Sequence, residues 1–565
     1  MTGIATDLQR NDLQATDLQK KDLQANSAQP TSFDNYLEPV LRRREPRVIA
    51  YGEKLLDFRN WVTNEVDAQA NYTDRYAPAA LETYDRDGGI ANRVVLNPWY
   101  ETQHQEAYRR GIIALPYTDG APHLVSFIMG YLLSQADISL HCPVTLTGAV
   151  AFLLAHRASE SLRRKYLPDL IRTDGHTTTG GTWATEKHGG SDIGATTTIA
   201  RPQNGDFSLH GLKWFASNTN SGLAVATARP EGAEAGWKGL GLYLVPSQLP
   251  DGTPNHYLVR RLKEKLGTRG LPTGEIELLG AEAAELAPPP EGFRLMMDAL
   301  EYSRIHNAVG AVGVQRRSLQ EALNWCRARQ AFGHNLIDFP MVLDELLGLR
   351  VRFEASALLA FEAAVTFDAC LSDSDQHIWL RFVTALAKYL TAEDAIRGAR
   401  AALELIGGNG YTADYPMARI LRDAQVLSVW EGPANIQALE LMRLLLAHDA
   451  RSFWENRIRT ILGTMPDALS DLRQLLSARF NKDCEALNFA TSTAPNRERY
   501  ARKLLHRLGQ SLSFALMCEV AAAHHQGGDS RATLNAFGYH EDIQPAELGA
   551  QNPLARDTIL HLLDD

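Results

Sequence analysis

The stretch W-A-T-E-K-H-G-G-S-D, residues 183–192, sits where a helical first third of the chain gives way to strand-like sequence. Gly189 and Gly190 carry no Cβ, so the backbone there can approach a flat ligand closely. The hydroxyls of Thr185 and Ser191, with freed backbone N–H groups, can donate to ring carbonyls or to phosphate. Taken alone, a polar helix-to-strand turn accounts for the stretch equally well. Its surroundings decide.

Upstream, residues 35–178 read as helical, with long segments such as A-P-H-L-V-S-F-I-M-G-Y-L-L-S-Q-A. Downstream, T-T-T-I-A, a turn at N-G-D, and F-S-L-H-G-L-K-W-F-A-S predict a hairpin of β-branched and aromatic residues. Further short strands are expected at 223–228, 239–245 and 275–279, which makes 179–288 a small antiparallel sandwich or barrel. Pro288, Pro289 and Pro290 close that section. Helical periodicity then fills 289–447, broken chiefly at G-G-N-G-Y (407–411), and returns over 448–565. Residues 1–34 begin with a five-residue D-L-Q repeat, a period that matches neither helix nor strand, and are expected to be a disordered or weakly structured tail. The order is α, β, α, α: an α+β chain lacking both the dinucleotide-binding and the P-loop glycine fingerprints.

At 565 residues the chain suits two to four domains. A net charge of −10 argues against a whole-surface attraction to nucleic acid or anionic membrane. No run of 18 apolar residues appears, so no membrane-spanning helix is expected. The five cysteines are scattered and form no C-x-x-C pair, which predicts reduced thiols, no metal site and a cytoplasmic location.

Two more stretches carry chemistry. In V-L-S-V-W-E-G-P-A-N-I-Q (426–437), Glu431 lies between Trp430 and Gly432. A carboxylate against apolar and aromatic walls has its pKa raised, which suits a general base near neutral pH. In R-A-R-Q-A-F-G-H-N-L-I (327–337), Arg329 can reach a diphosphate through bidentate hydrogen bonds.

Together, in this order, these stretches resemble the acyl-CoA dehydrogenase family over roughly residues 90–445. The likeness rests on T-E-K-H-G-G-S-D, G-L-K-W-F-A-S-N, R-Q-A-F-G, G-G-N-G-Y and W-E-G-P-A-N-I-Q. The K-H-G-G-S-D variant, the H-C-P-V-T-L-T segment, the asparagine three residues after W-E-G, and the extra C-terminal section are similar to the AidB-like subgroup. The resemblance implies an N-terminal helical domain, a middle antiparallel β domain, a C-terminal four-helix bundle and an additional helical domain.

It also implies FAD and a set of residues around it. Trp183, Ala184, Thr185, Gly190 and Ser191 would form one wall, with Phe215, Ala216 and Ser217 beside the flavin. Arg329, Phe332, Gly407 and Gly408 would serve the FAD of a neighbouring subunit, which makes a homotetramer the expected assembly. Trp430, Glu431, Gly432 and Asn435 would line the reacting face and adenosine side, with Ser191 and Arg304 against an acyl-CoA substrate. Glu431 would remove the α-proton. In a branch of the family the base precedes an arginine on an earlier helix; here that position is Ser303 before Arg304, with Glu301 two residues further back. Pro433 replaces a usual threonine or serine, and Glu404 a usual glutamine near the diphosphate.

The implied activity is dehydrogenation of an acyl-CoA, with electrons passing to an electron-transferring flavoprotein. The rival class is a DNA-associated flavoprotein of the alkylation response. Residues 451–507 hold eleven basic and six acidic side chains. Arg443, Arg499, Arg502 and Lys503 are the candidates for contact with double-stranded DNA. A nitroalkane oxidase or monooxygenase reading is disfavoured by the glutamate at 431.

Overall fold

The computed structural model describes residues 32–493, 495–525, 527, 529–544 and 554–564, so most of the D-L-Q tail lies outside the described residues. The N-terminal region is helical, as its 3.6-residue periodicity predicts. At its centre α1 (His123–Ser134) and α2 (Ile138–His156) are buried along almost their whole length. Asp137 starts α2 by accepting the Ser139 N–H at 2.7 Å, which satisfies an end-of-helix donor. By length and composition α2 could cross a membrane, although the sequence reading expects no such helix. Its apolar window is 94% buried inside the protein. The hydroxyls that interrupt the apolar run turn back onto the helix, Thr145 to His141 O at 3.0 Å and Thr147 to Pro143 O at 2.8 Å. α2 is a core helix here.

One hairpin departs from the helical expectation. β1 (Ala80–Tyr84) and β2 (Ile90–Val95) pair antiparallel around D-R-D-G-G. Asp85 accepts the N–H groups of Asp87 and Gly89 at 2.9 and 2.7 Å, and Gly88 adopts φ +83°. That turn chemistry overrides the local helical pattern.

The middle domain runs from β3 (Gly180–Trp183) through β4 (Ile199–Gln203), β5 (Asp206–Ser217), β6 (Leu223–Pro230), β7 (Gly241–Pro246) and β8 (Tyr257–Leu262) to β9 (Thr273–Ala287). Strands β6, β4, β5, β9 and β7 pair in a closed ring; β3 joins β6 and β8 joins β9. Closure leaves few exposed edges. The pairings are antiparallel except β3–β6 and β4–β6, which are parallel. Inside lie Trp183, Leu209, Ala216, Ala226, Tyr243 and Ile276, all at 1% exposure or less.

Helix α3 (Glu291–Ala328) follows, then α4 (Pro340–Cys370), α5 (His377–Ile406), α6 (Met417–Leu427) and α7 (Ala434–Ala447). α5 is central and touches the other four. Beyond residue 448, α8 (Ala450–Thr464), α9 (Ser470–Thr491), α10 (Ala501–His525), α11 (Arg531–Asp542) and α12 (Arg556–Leu563) fold back on the bundle, with α10 against α4, α5 and α7. One apolar core runs from Phe33 through the bundle to Leu563. The extension is therefore part of the same body.

Candidate active site

The 183–192 stretch leaves β3 and crosses the end of the barrel. The Trp183 indole turns inward, edge-on to Tyr257 at 5.4 Å, and Ala216 is fully buried. The side chains of both expected wall residues thus face the barrel core and away from any ligand, because strand alternation sends their neighbours outward. The Thr185 carbonyl accepts the Trp214 N–H at 2.9 Å, which registers the turn on β5.

Sequence reasoning missed what fixes this turn. Glu186 is buried and accepts from Thr197 N and Oγ1 at 2.7 Å each, from Thr198 Oγ1 at 2.5 Å and from Lys213 Nζ at 2.8 Å. Lys213 is fully buried and also donates to Thr227 O at 2.7 Å. Burial pushes the Glu186 carboxyl up, but the Lys213 charge and these hydrogen bonds outweigh it and hold the group at about 2. A lysine at an inward position of an otherwise apolar strand was the available signal, since it requires a buried carboxylate partner.

The turn forms one wall of a cavity of about 1280 Å³. Ala184, Thr185, Gly190, Ser191, Phe215 and Ser217 line the barrel side; Arg304, Trp430, Glu431 and Gly432 line the opposite side. The Phe215 ring is 54% exposed to this space, with Lys263 Nζ 4.9 Å from its centroid. Among the described residues the Thr185 and Ser191 hydroxyls have no hydrogen-bond partner. A bare aromatic face beside unsatisfied donors fits a flat, polar-edged ring system. Leu146, Met297, Leu300, Val426 and Ile436 give the cavity an aliphatic part, which suits an aliphatic chain, while Asp192, Arg229, Lys265 and Arg422 add charged side chains to its lining.

Glu431 occupies the turn between α6 and α7. Its φ is +59°, a left-handed conformation that costs a non-glycine residue about 1–2 kcal/mol. The turn is clamped. Arg304 Nε and Gln437 Nε2 donate to Glu431 O at 3.0 and 3.1 Å; Lys388 Nζ and Gln437 Nε2 donate to Gly432 O at 2.9 and 3.0 Å. The Trp430 indole donates to Asn307 on α3. Ser303 Oγ donates to the Glu431 carboxylate at 2.8 Å. Burial raises the carboxyl above its ordinary range, while Ser303, Arg304 and Lys388 pull it back. The arrangement is a carboxylate whose basicity is raised by burial, held in the wall of the cavity.

Other expected residues lie elsewhere. Arg329, Phe332, Gly407, Gly408 and Asn435 do not line the cavity. Four of them share a separate surface: Trp325, on the helix that Arg329 caps, meets Tyr415 edge-on at 5.9 Å, and Asn409 Nδ2 donates to the Tyr415 hydroxyl at 3.0 Å. Phe332 is 94% exposed there, and a Cβ placed on Gly407 (φ +75°) or Gly408 would meet nothing within 4 Å. Glu404 is drawn off by Arg400 at 2.9 Å. The basic residues are mostly engaged within the chain. Arg443 pairs with Glu440 at 2.9 Å and Arg502 with Glu393 at 3.2 Å. Lys503 lies 6.0 Å from the Tyr500 ring centroid, and Arg499 is exposed.

Comparison with known proteins agrees with this geometry. Residues 290–446 match the acyl-CoA dehydrogenase C-terminal domain, 181–280 its middle domain, and 34–174 the N-terminal domain of the adaptive response protein AidB. "Acyl-CoA dehydrogenase family member 11" of Caenorhabditis elegans is 31% identical over 442 residues, covering 74% of this chain and 70% of the relative. "Putative acyl-CoA dehydrogenase AidB" of Escherichia coli K12 is 30% identical over 381 residues, covering 65% and 69%. The crystal structure of C. elegans ACDH-11 in complex with C11-CoA superposes with a TM-score of 0.82 at 26% identity, covering 92% of each chain. Since each of the three matched domains supplies a wall of the one cavity, the chain belongs to the acyl-CoA dehydrogenase family, as a member with an AidB-type N-terminal domain.

Proposed function

We propose that the protein catalyses the FAD-dependent α,β-dehydrogenation of an acyl-CoA thioester. The observation that carries this reading is Glu431: a clamped, partly desolvated carboxylate facing the Phe215 wall across the cavity. FAD is the cofactor of this family, and when bound it supplies an acceptor for the hydride from the substrate's β-carbon. The chain does the rest. Glu431 takes the α-proton as the α C–H bond breaks; the electrons of that bond form the C=C bond while the β-hydrogen leaves as hydride. The product is a 2-enoyl-CoA. The Glu431 backbone N–H has no acceptor among the described residues and is available to the thioester oxygen, where enolate charge builds. Thr185 and Ser191 would hold the ring's polar edge, and Phe215 its face.

The relative whose structure holds C11-CoA supports a fatty acyl-CoA ligand, and the aliphatic lining agrees. The electrons would pass to an electron-transferring flavoprotein or similar acceptor. The Arg329–Phe332 and Gly407–Gly408 surface, set apart from the cavity, supports a cofactor completed by a neighbouring subunit in a homotetramer. All five cysteines are free, which suits a cytoplasmic protein.

The test is anaerobic bleaching of the bound flavin by a panel of acyl-CoAs, followed by a dye-acceptor assay with and without oxygen. Glu431→Gln is expected to retain FAD and to lose at least about 100-fold in bleaching rate, the lower range for general-base catalysis. Bleaching at the wild-type rate in that variant would refute the assignment.

A further inference from the structure

Behind the catalytic turn lies a charge that the turn does not need for hydrogen bonding alone. Lys388 sits midway along α5, 1% exposed, and donates to Gly432 O at 2.9 Å. Among the described residues no carboxylate forms an ion pair with it. A buried ammonium without such a partner carries a large desolvation cost that an apolar side chain of similar volume would avoid. Gly432 O would keep a donor without it, because Gln437 Nε2 reaches the same oxygen at 3.0 Å. Packing and satisfaction of the carbonyl therefore leave this lysine unexplained.

The charges around it supply a reason. Lys388 is faced by Glu431 from the turn, by Arg304 from α3 and by Glu393 on its own helix. Arg304 is itself 3.7 Å from Glu301, which is 8% exposed and leaves one carboxylate oxygen without a partner. Glu393 is itself held by Arg502 at 3.2 Å. Arg304 and Lys388 are then the two cations facing Glu431, in a cluster whose acids are Glu431, Glu301 and Glu393.

We propose that Lys388 is a positioning residue for the reaction, fixing the 431–432 turn through Gly432 O and placing a positive charge behind the Glu431 carboxylate. This inference rests on the assignment of Glu431 as the base. The titration behaviour is consistent with it: burial lowers Lys388 to about 7, while the same burial raises Glu431 and Lys388 opposes that rise. Removing the cation removes one of the three groups holding the carboxylate charged. The pH at which the base becomes available then moves up.

The experiment uses the FAD-loaded enzyme and follows flavin bleaching by an acyl-CoA from pH 5 to 9 in wild type, Lys388→Met, Lys388→Arg and Glu431→Gln. An opposite charge within about 4–6 Å shifts a carboxyl by about one unit or more. Lys388→Met is therefore expected to shift the acid limb of the profile upward by about one pH unit, an approximately tenfold slower reaction at pH values below both midpoints. Lys388→Arg, which keeps the charge, is expected to restore most of the limb. Thermal unfolding at pH 6 should show Lys388→Met at least as stable as wild type, an outcome that a merely structural lysine would not give. If Lys388→Met does not hold FAD, Lys388→Gln is measured in its place; loss of FAD in both, or a Lys388→Met limb superimposed on wild type, overturns the proposal. Should Glu431→Gln bleach normally, the base assignment falls and this inference with it. A dead Glu431→Gln beside an unshifted Lys388→Met refutes Lys388 alone.

Discussion

At the scale of single residues the site shows two kinds of legibility. Glu431, Thr185 and Ser191 could be read from the sequence because their neighbours in the chain, W-E-G and G-G-S-D, carry the chemistry. Glu186, Lys213 and Lys388 were not read, since each has a decisive partner 27 or more residues away. Ser303 stood out only as the place of a missing base, yet its hydroxyl holds the base that is present. Because Ser303 stabilises the ionised carboxylate, Ser303→Ala should raise the pKa of Glu431. A hydrogen bond to a charged group contributes about 1.5 kcal/mol, so the acid limb of flavin bleaching should move up by about one pH unit. Activity at pH 6 falls and activity at pH 9 is largely kept. Glu186 gives the opposite dependence on acid. Its folded pKa of about 2 lies below the ordinary 4.5, so its stabilisation is full above pH 4.5 and is lost as pH falls toward 2. The gap in unfolding temperature between wild type and Glu186→Gln should be widest at neutral pH and close over that window; a gap independent of pH would show that Glu186 is not ionised.

At the scale of elements, long periodic segments were readable and short ones were not. The hairpin of β4 and β5, and strands β6 and β7, lie within a few residues of their expected positions, whereas β9 was expected over 275–279 and runs over Thr273–Ala287. β3 was not read as a strand, and β8, Y-L-V-R-R-L, was missed because two arginines break its alternation; they answer Glu277 and Glu275 on β9 at 2.7 Å each. Closure of the barrel through the parallel β4–β6 pairing was not legible at all, because it depends on which strand ends meet after the chain has gone round. The extension shows the same limit. Its basic surplus suggested a phosphate-binding helix, but Arg457 on α8 reaches into the bundle, bonding Glu362 on α4 at 3.0 Å and Glu519 on α10 at 2.8 Å. Glu362 is 2% exposed and is also held by Arg44. Arg457→Met leaves that buried carboxylate underpaired, a change that typically costs about 3 kcal/mol. A fall of several degrees in unfolding temperature is expected, and an unchanged transition would mean that the extension is held by its apolar contacts alone.

At the scale of the whole molecule, charge bears on the two classes of function that the sequence left standing. A net charge of −10 opposes approach to nucleic acid unless a local basic surface outweighs it. The fold spends two of the four candidate cations on carboxylates of the same chain, Arg443 on Glu440 and Arg502 on Glu393, and likewise Arg451 on Glu455, Arg457 on Glu362 and Glu519, and Arg507 on Asp483. A duplex would have to displace those pairs to gain phosphate contacts. Micromolar protein is accordingly expected to cause no retardation of a duplex in a gel shift at physiological salt, and clear retardation would restore the DNA reading. The surface that remains unexplained by the single chain is apolar. Phe332, at 94% exposure, Met341 at 85% and Tyr411 at 81% stand near glycines whose missing Cβ serves no contact inside the chain. If that surface completes the cofactor site of a neighbouring subunit, assembly and FAD retention must be linked, because a ligand that binds only the assembled form stabilises it by mass action. Phe332→Asp should therefore lower the mass measured by light scattering and the FAD content of the purified protein together, and added FAD should partly restore the mass. A variant that dissociates while keeping full FAD would break that link and return the whole cofactor to one chain.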